Sequence, residues 1–297
     1  MAIDSRPENW LARFRAWPRR LWHLGRVSEA EGFYRHRAVV RLTHWINALC
    51  IVFLLGSGLN IFNAHPRLYW GMTGTDADRP FFSLGAVDSA TGPKGFTQIG
   101  AWEFDTTGVL GWSMADGQFQ PRGWPEWLTI PGFQSLADAR HWHFLFAWIL
   151  VFNGLAYLVY SLWSRHLQKD IWPSRADLAA IPRSILDHIK LKHPTGDAAR
   201  RYNVLQKLAY LGVIFLIALM VLTGLTMSPG FNAIFPWLLD LFGGRQSARS
   251  LHFISAALIL LFVIVHLVEV MLAGPINEIR SMLNGWYRIP QDRKDGE

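Results

Sequence analysis

The sequence predicts an all-α membrane protein, a four-transmembrane-helix bundle with interfacial helices and one long connection outside the membrane. Two observations carry this prediction. Of the 297 residues, 51% are hydrophobic, and four apolar windows are each long enough to cross the hydrocarbon core of a bilayer. The predicted spans are 40–62, 143–163, 205–227 and 251–271.

The distribution of basic residues predicts how these spans are oriented. Residues 1–41 and 165–207 carry nine Lys and Arg each, whereas residues 64–140 carry five beside eight Asp and Glu. The positive-inside bias therefore places both termini in the cytoplasm of a bacterial inner membrane and residues 64–140 in the periplasm. The formal net charge of +7 is explained by this topology and by contact with anionic lipid, and it does not indicate nucleic-acid binding.

Three regions are predicted from this pattern. They are a cytoplasmic basic segment (1–39), a membrane domain including the periplasmic connection (40–273) and a cytoplasmic tail (274–297). In the first region Trp10, Phe14 and Trp17 recur at helical steps between arginines, which predicts an amphipathic helix along the lipid headgroups. A disordered basic tail is the alternative interpretation.

The two long connections also carry patterns. Residues 64–140 are rich in Trp, Gly and Pro, so this connection is expected to fold over the outer end of the bundle and to dock a partner, with interfacial anchoring as the alternative. On the cytoplasmic side, Ser174 and Asp177 resemble a helix cap before a short amphipathic stretch. That stretch is predicted to cover the inner surface.

Four histidines carry the chemistry of the predicted spans. His252 and His266 lie fourteen residues apart on the fourth span, so they share one helix face about 21 Å apart. With the predicted topology, His44 matches the depth of His266, and His143 that of His252. Ionisable side chains within a membrane are functional candidates by default, and two histidine pairs at two depths predict two haem b groups with paired axial ligands. His141 is the open alternative to His143.

Further features fit paired haem ligation. Two imidazoles leave no open coordination position, which suits electron transfer. Gly58 lies fourteen residues beyond His44 and leaves room on that face. Arg37 and Arg41 at the inner level, and Arg140 and Arg249 at the outer level, are candidate partners of haem propionates, with interfacial snorkelling as the alternative for each.

These residues support a resemblance to a known family. The motifs that carry it are Arg41-Leu-Thr-His44-Trp-Ile-Asn47, Arg140-His-Trp-His143, Tyr202-Asn203-Val-Leu-Gln206-Lys207 and the pair His252 and His266. They resemble the prokaryotic di-haem cytochrome b membrane subunits, a superfamily that includes formate dehydrogenase gamma subunits and thiosulfate-reductase-type cytochromes b. The resemblance covers all four spans and implies electron exchange between a membrane quinone and a partner oxidoreductase outside the membrane.

The third motif of this resemblance has a separate implication. The family places its quinone pocket around a similar asparagine-containing run, which suggests Tyr202, Asn203, Gln206 and Lys207 for binding ubiquinone or menaquinone. Amide and hydroxyl groups can hydrogen-bond a quinone carbonyl. An ordinary polar helix start is the alternative.

The sequence therefore predicts an electron-transfer subunit that works between quinone and a periplasmic redox protein, with a molybdenum oxidoreductase favoured by family context. One alternative is a self-contained haem enzyme that exchanges electrons between quinone and a small species such as superoxide. Another is a haem-free transporter or anchor. The single cysteine, Cys50, excludes a four-cysteine iron–sulfur cluster and covalent CxxCH haem attachment. The direction of electron flow and the oligomeric state, a homo-oligomer included, stay open.

Overall fold

A computed structural model describes residues 32–75, 77–190 and 201–289 of the chain. Its α-helices are α1 (Ala38–Asn63), α2 (Leu136–Trp163), α3 (Arg175–Ala179), α4 (Ile181–Ile189), α5 (Val204–Thr226), α6 (Pro229–Ile234), α7 (Trp237–Leu241), α8 (Arg245–Ala273) and α9 (Pro275–Asn284). Its strands are β1 (Gly32–Tyr34), β2 (Arg67–Leu68), β3 (Phe82–Ser89), β4 (Gly92–Ile99), β5 (Trp102–Asp105), β6 (Gly111–Ala115), β7 (Gln118–Arg122) and β8 (Trp286–Arg288). The predicted amphipathic helix around Trp10 lies outside the described residues.

Four helices, α1, α2, α5 and α8, are long and apolar enough to cross a membrane. The four predicted spans and the helical membrane bundle are thus confirmed. Helices α2 and α8 begin six or more residues earlier than their apolar windows, because polar turns precede the apolar part. At the start of α2 the Ser135 hydroxyl accepts a hydrogen bond from the Asp138 backbone N–H at 3.3 Å, an N-cap that fixes where the helix begins.

The chain divides into two compact units, and the larger comprises Thr43–Trp172 and Lys207–Val263. Inside it, the buried side chains of Cys50, Phe146 and Leu150 join α1 to α2, with Ile217 of α5 packed against them. A polar contact accompanies this apolar core. The Asn153 amide donates to the Thr43 carbonyl at 2.9 Å and to Asn47 Oδ1 at 2.7 Å, which fixes α2 against α1 in one register.

The connection between α1 and α2 folds as β-structure, which the sequence analysis did not predict. Strands β2, β3, β4 and β5 form one antiparallel sheet in that order, and β6 pairs with β7 in a hairpin. Phe82 and Leu84 of β3 pack with Phe62 of α1 and Phe253 of α8. The sheet therefore rests directly on the ends of two spanning helices.

The smaller unit is built from the described parts of Met1–Leu42, Pro173–Gln206 and Ile264–Glu297. The predicted cap before α3 is present as a reciprocal capping box of Ser174 and Asp177. Strand β1 pairs antiparallel with β8, with Phe33 opposite Tyr287. This unit thus joins the segment before the first span to the segment after the last one.

Candidate functional site

Two of the predicted histidine ligands meet inside the larger unit. His143 of α2 and His252 of α8 lie with their ring centroids 6.2 Å apart, and both side chains are partly buried. His141, two residues before His143, is exposed on another side of α2. Of the two neighbouring histidines, the structure therefore brings His143 and not His141 to His252.

The hydroxyl of Ser57 on α1 determines which nitrogen of His143 carries the proton. Ser57 Oγ lies 3.0 Å from His143 Nδ1 and donates its own proton to the Phe53 carbonyl at 2.6 Å. Because that proton is already used, Ser57 must accept a hydrogen bond from Nδ1–H. Nε2 of His143 is then the nitrogen with the free lone pair, as a metal ligand requires.

His252 has an equivalent partner on α5. Thr223 Oγ1 lies 3.0 Å from His252 Nδ1 and donates its proton to the Leu219 carbonyl at 2.7 Å, so it too accepts from Nδ1–H. Each hydroxyl residue is followed by a glycine. A Cβ added at Gly58 would lie 3.4 Å from His143 Cε1, and one at Gly224 would lie 3.5 Å from His252 Cε1. Two helices thus present the same pair of residue types to two imidazoles.

The spacing of these two rings fits an iron porphyrin held between them. Two metal–nitrogen bonds of about 2 Å each, plus about 1 Å from each nitrogen to its ring centroid, put the centroids of two axial imidazoles about 6 Å apart. The observed 6.2 Å agrees with this value. Within residues 32–75, 77–190 and 201–289 no three His, Cys, Asp or Glu side chains gather as a metal site.

An aromatic cluster lies directly beside His252. Phe253 packs against Phe62 and Phe82, with centroid distances of 4.8 Å and 5.4 Å. Arg249, one turn before His252, donates to the His65 carbonyl and has its guanidinium carbon 5.5 Å from the Phe62 ring centroid. Aromatic rings from α1, α8 and β3 thus cluster around the residue that follows His252 in the chain, and the Arg249 guanidinium contacts the same cluster.

The other predicted arginines are placed differently. Arg140 is exposed and lies over the ring of Phe144 on its own helix at 5.5 Å. In the smaller unit, Arg37 is exposed, and Arg41 donates to the Leu283 carbonyl of the segment after the last span. Of the two arginines predicted at the outer level, Arg249 is therefore partly buried, whereas Arg140 is exposed.

The two histidines predicted at the inner level belong to different units. His44 lies on α1 in the larger unit, partly buried, with its ring edge-to-face against Trp45 at 5.2 Å. His266 belongs to the smaller unit and is partly buried, while its neighbours Val265 and Leu267 are 49% and 57% exposed. His266 thus lies on the inward side of α8. Its pairing with His44 stays a prediction from the sequence.

Among the predicted quinone residues, Tyr202 lies in a group that the sequence analysis missed. Its hydroxyl is 3.5 Å from His36 Nδ1, and its ring centroid is 5.6 Å from the Arg35 guanidinium carbon. Arg35 also lies 4.4 Å from the Tyr287 ring centroid and 3.8 Å from a Glu278 carboxylate oxygen. Burial raises the pKa of Tyr287. This group in the smaller unit therefore combines a cation, an anion and three groups able to carry protons.

Asn203 and Gln206 form a reciprocal cap at the start of α5. The Gln206 backbone N–H donates to Asn203 Oδ1 at 2.9 Å, and the Asn203 N–H donates to Gln206 Oε1 at 3.2 Å. Both side-chain oxygens are thus used structurally. Among the described residues neither side-chain NH₂ group has a partner, so each keeps a donor for a ligand. Lys207 follows directly in the first turn of α5.

Ser57 and Thr223 were also missed by the sequence analysis. The signal that could have identified them is a hydroxyl residue directly before a glycine on two different spans, Ser57-Gly58 and Thr223-Gly224. Single serines and threonines are common in membrane helices, where they bond their own backbone. Only the contact with a histidine on a neighbouring helix reveals their additional role.

Comparison with known proteins agrees with this geometry. The model of the family described as prokaryotic cytochrome b561 matches residues 35–285. A protein of Azospira oryzae named as a putative protein-methionine-sulfoxide reductase subunit, YedZ1, is 31% identical over 237 residues, which cover 80% of this chain and 90% of that relative. The match includes all four spans, both units and every histidine considered above. The chain belongs to the prokaryotic cytochrome b561 family and is a membrane protein that binds haem b and acts in electron transfer.

Proposed function

We propose that this protein binds two haem b groups and transfers electrons between the quinone pool and a periplasmic oxidoreductase. The observation that carries the proposal is the pairing of His143 and His252, whose ring spacing and tautomers both suit axial ligation. Haem iron with two imidazole ligands supplies one-electron transfer without an open coordination position. The second haem is assigned to His44 and His266 from the sequence.

Quinone chemistry is assigned to the residues around the start of α5. A quinol that gives up electrons also releases protons, so its site needs hydrogen-bond donors and a route to water. The side-chain NH₂ groups of Asn203 and Gln206 supply donors, and the Tyr202 hydroxyl with His36 supplies a proton acceptor pair. The positive-inside bias supports a cytoplasmic location for this group, at the inner membrane.

The partner is proposed to be a soluble oxidoreductase that docks on the periplasmic side. Two facts support this. The chain carries a folded β-sheet domain between α1 and α2 beside the His143 and His252 pair, and the Azospira relative is named as a subunit of a protein-methionine-sulfoxide reductase. An enzyme of this kind, or a molybdenum oxidoreductase as the family resemblance suggests, would exchange electrons with the nearer haem.

The decisive experiment counts haem in single-histidine variants of the purified protein. We expect His143→Ala, His252→Ala and the double variant each to lose the same one of two haems in a pyridine haemochrome assay. His141→Ala, the matched control two residues away, should keep both. His266→Ala should lose the other haem. Loss of both haems or of neither in a single variant would refute the assigned pairs.

Quinone linkage is tested on the intact protein by following haem reduction after addition of a short-chain quinol. Quinol should reduce the haem of the wild-type protein rapidly in the absence of any partner protein, because the proposed quinone site is formed by this chain alone. If partner-free protein instead turns over quinone with superoxide at a high rate, the chain is a self-contained haem enzyme. Colourless protein from haem-supplemented cells would favour the haem-free alternative.

A further inference from the structure

The β-sheet domain carries an apolar row that continues beyond its contact with the helices. In the antiparallel register Phe82 of β3 lies opposite Ile99 of β4, and Ile99 lies opposite Trp102 of β5. Directly paired residues share one face of a sheet, and so do residues two apart on a strand. Ile99, Trp102 and Phe104 therefore lie on the same face as Phe82.

At Phe82 this face packs on the membrane-spanning helices, whereas at Gly95 it packs on β6. Phe82 packs against Phe62 at the end of α1 and against Phe253 of α8. Phe253 lies eight residues inside α8, which is about 12 Å along the helix axis from its first residue. Phe62 and Phe253 also lie near the ends of the predicted spans 40–62 and 251–271, so the sheet is expected to lie near the edge of the hydrocarbon.

The row ends beyond the part of the sheet that contacts the helices. Neighbouring strands are about 4.8 Å apart, so β5 lies about 10 Å from the strand that contacts α1 and α8. Accordingly Ile99, Trp102 and Phe104 are 50%, 73% and 48% exposed, although the face that they share also carries Phe82 and Leu84 of the cluster around Phe62. We call these three residues the apolar ledge.

The opposite face of β5 carries charged side chains. Glu103 and Asp105 alternate with the ledge residues on this strand, and both are exposed. Hydrogen bonds from Thr107 lower the pKa of Asp105, so this carboxylate is charged at neutral pH. A strand with a tryptophan and a phenylalanine on one side and two carboxylates on the other is amphipathic across the plane of the sheet. Such a strand suits a position between lipid and water.

We propose that the apolar ledge inserts into the headgroup region of the leaflet next to the sheet and seats the β-sheet domain on the bilayer. The occupant is lipid because the ledge continues the face that already packs on spanning helices, and lipid is what surrounds those helices. A soluble partner, approaching from the aqueous phase, meets the other face with Glu103 and Asp105.

The test uses spin labels on single introduced cysteines in phosphatidylcholine and phosphatidylglycerol vesicles. Cys50 is fully buried, so the native background does not react. Trp102→Cys and Phe104→Cys report on the ledge, and Glu103→Cys and Asp105→Cys are matched controls on the same strand. Power saturation then measures access to oxygen, which concentrates in lipid, and to a nickel chelate, which stays in water. Unchanged haem content shows that each variant is folded.

We expect a ratio of oxygen access to nickel access several-fold higher at positions 102 and 104 than at 103 and 105. Equal ratios on both faces, or water-like ratios on the ledge, would overturn the proposal. Dipolar broadening at position 102 that disappears when the protein is diluted into excess lipid would also overturn it, since the ledge would then bind a second copy of the chain. Neither result bears on haem binding or on electron transfer.

Discussion

Thr223 accepts a hydrogen bond from His252 Nδ1 across the contact between α5 and α8, while its own hydroxyl proton is held by the Leu219 carbonyl. The threonine therefore acts as an acceptor alone at this contact. A neutral imidazole that donates through Nδ1–H has its lone pair on Nε2, the nitrogen that a metal would bind. Ser57 has the same relation to His143.

Replacing Thr223 with Val should weaken haem binding at the outer site by about 10- to 100-fold, the usual effect of losing a hydrogen-bond partner of a ligating histidine. Valine keeps the shape of threonine and removes only the acceptor. Titration of the apoprotein with haem, followed by absorbance, measures the change. Thr223→Ser keeps the hydroxyl and should bind almost normally. Equal affinity of the Val and Ser variants would contradict the assigned role.

The glycine beside each hydroxyl should tolerate only a small side chain. Gly58→Ala places a methyl group in van der Waals contact with His143, so we expect two haems to be retained. Gly58→Leu fills space that the ring occupies and should remove one haem, the same one that His143→Ala removes. The measurement is haem content together with the reduced spectrum. Full retention in the Leu variant would show that the ring is not held at this position.

Asn203 has two roles that a pair of substitutions separates. Asn203→Ser keeps an N-cap acceptor but removes the side-chain NH₂ group, whereas Asn203→Leu removes both and should cost about 1 kcal/mol of stability. If the amide binds quinone, both variants reduce haem more slowly with quinol in stopped-flow experiments. A Ser variant with wild-type kinetics and stability would restrict Asn203 to capping.

Arg249 should tune the outer haem more than Arg140 does. A partly buried cation favours the reduced form of a nearby redox centre, because reduction adds negative charge that it stabilises. Arg249→Leu should therefore lower the midpoint potential of the outer haem by tens of millivolts in a redox titration. The exposed Arg140→Leu serves as control and should change it little, since solvent screens its charge. A larger effect from Arg140 would reverse this assignment.

The membrane part of the fold could be predicted from the sequence because lipid imposes one strong rule. A spanning segment must satisfy its backbone within itself and expose apolar side chains, so α1, α2, α5 and α8 stand out as apolar windows. The same rule made His143 and His252 visible, since an ionisable group in such a window is rare. Depth along the spans predicted that these two residues face each other, and their ring centroids lie 6.2 Å apart.

The remaining features depend on contacts that no short window encodes. The β-structure between α1 and α2 contains Gly85 and Gly95 in the sheet and Gly111 in the hairpin, and an added Cβ at each would clash with a neighbouring strand or ring. Glycines that resemble loop residues in sequence are therefore packing positions here. Likewise, Ser57 and Thr223 differ from other hydroxyl residues only through a histidine on another helix. For the glycines and for the two hydroxyl residues, the role is set by contacts with other parts of the fold and not by the local sequence.

The pairing of β1 with β8 has a consequence for biogenesis. Phe33 is made long before Tyr287, and the two strands can join only in a shared aqueous compartment, since an unpaired strand does not cross lipid. The pairing of β1 with β8 can therefore form only after all four spanning helices have been inserted. A chain with one span left out of the bilayer would deliver β1 and β8 to opposite compartments, where they could not pair, so formation of this two-stranded sheet requires an even number of inserted spans.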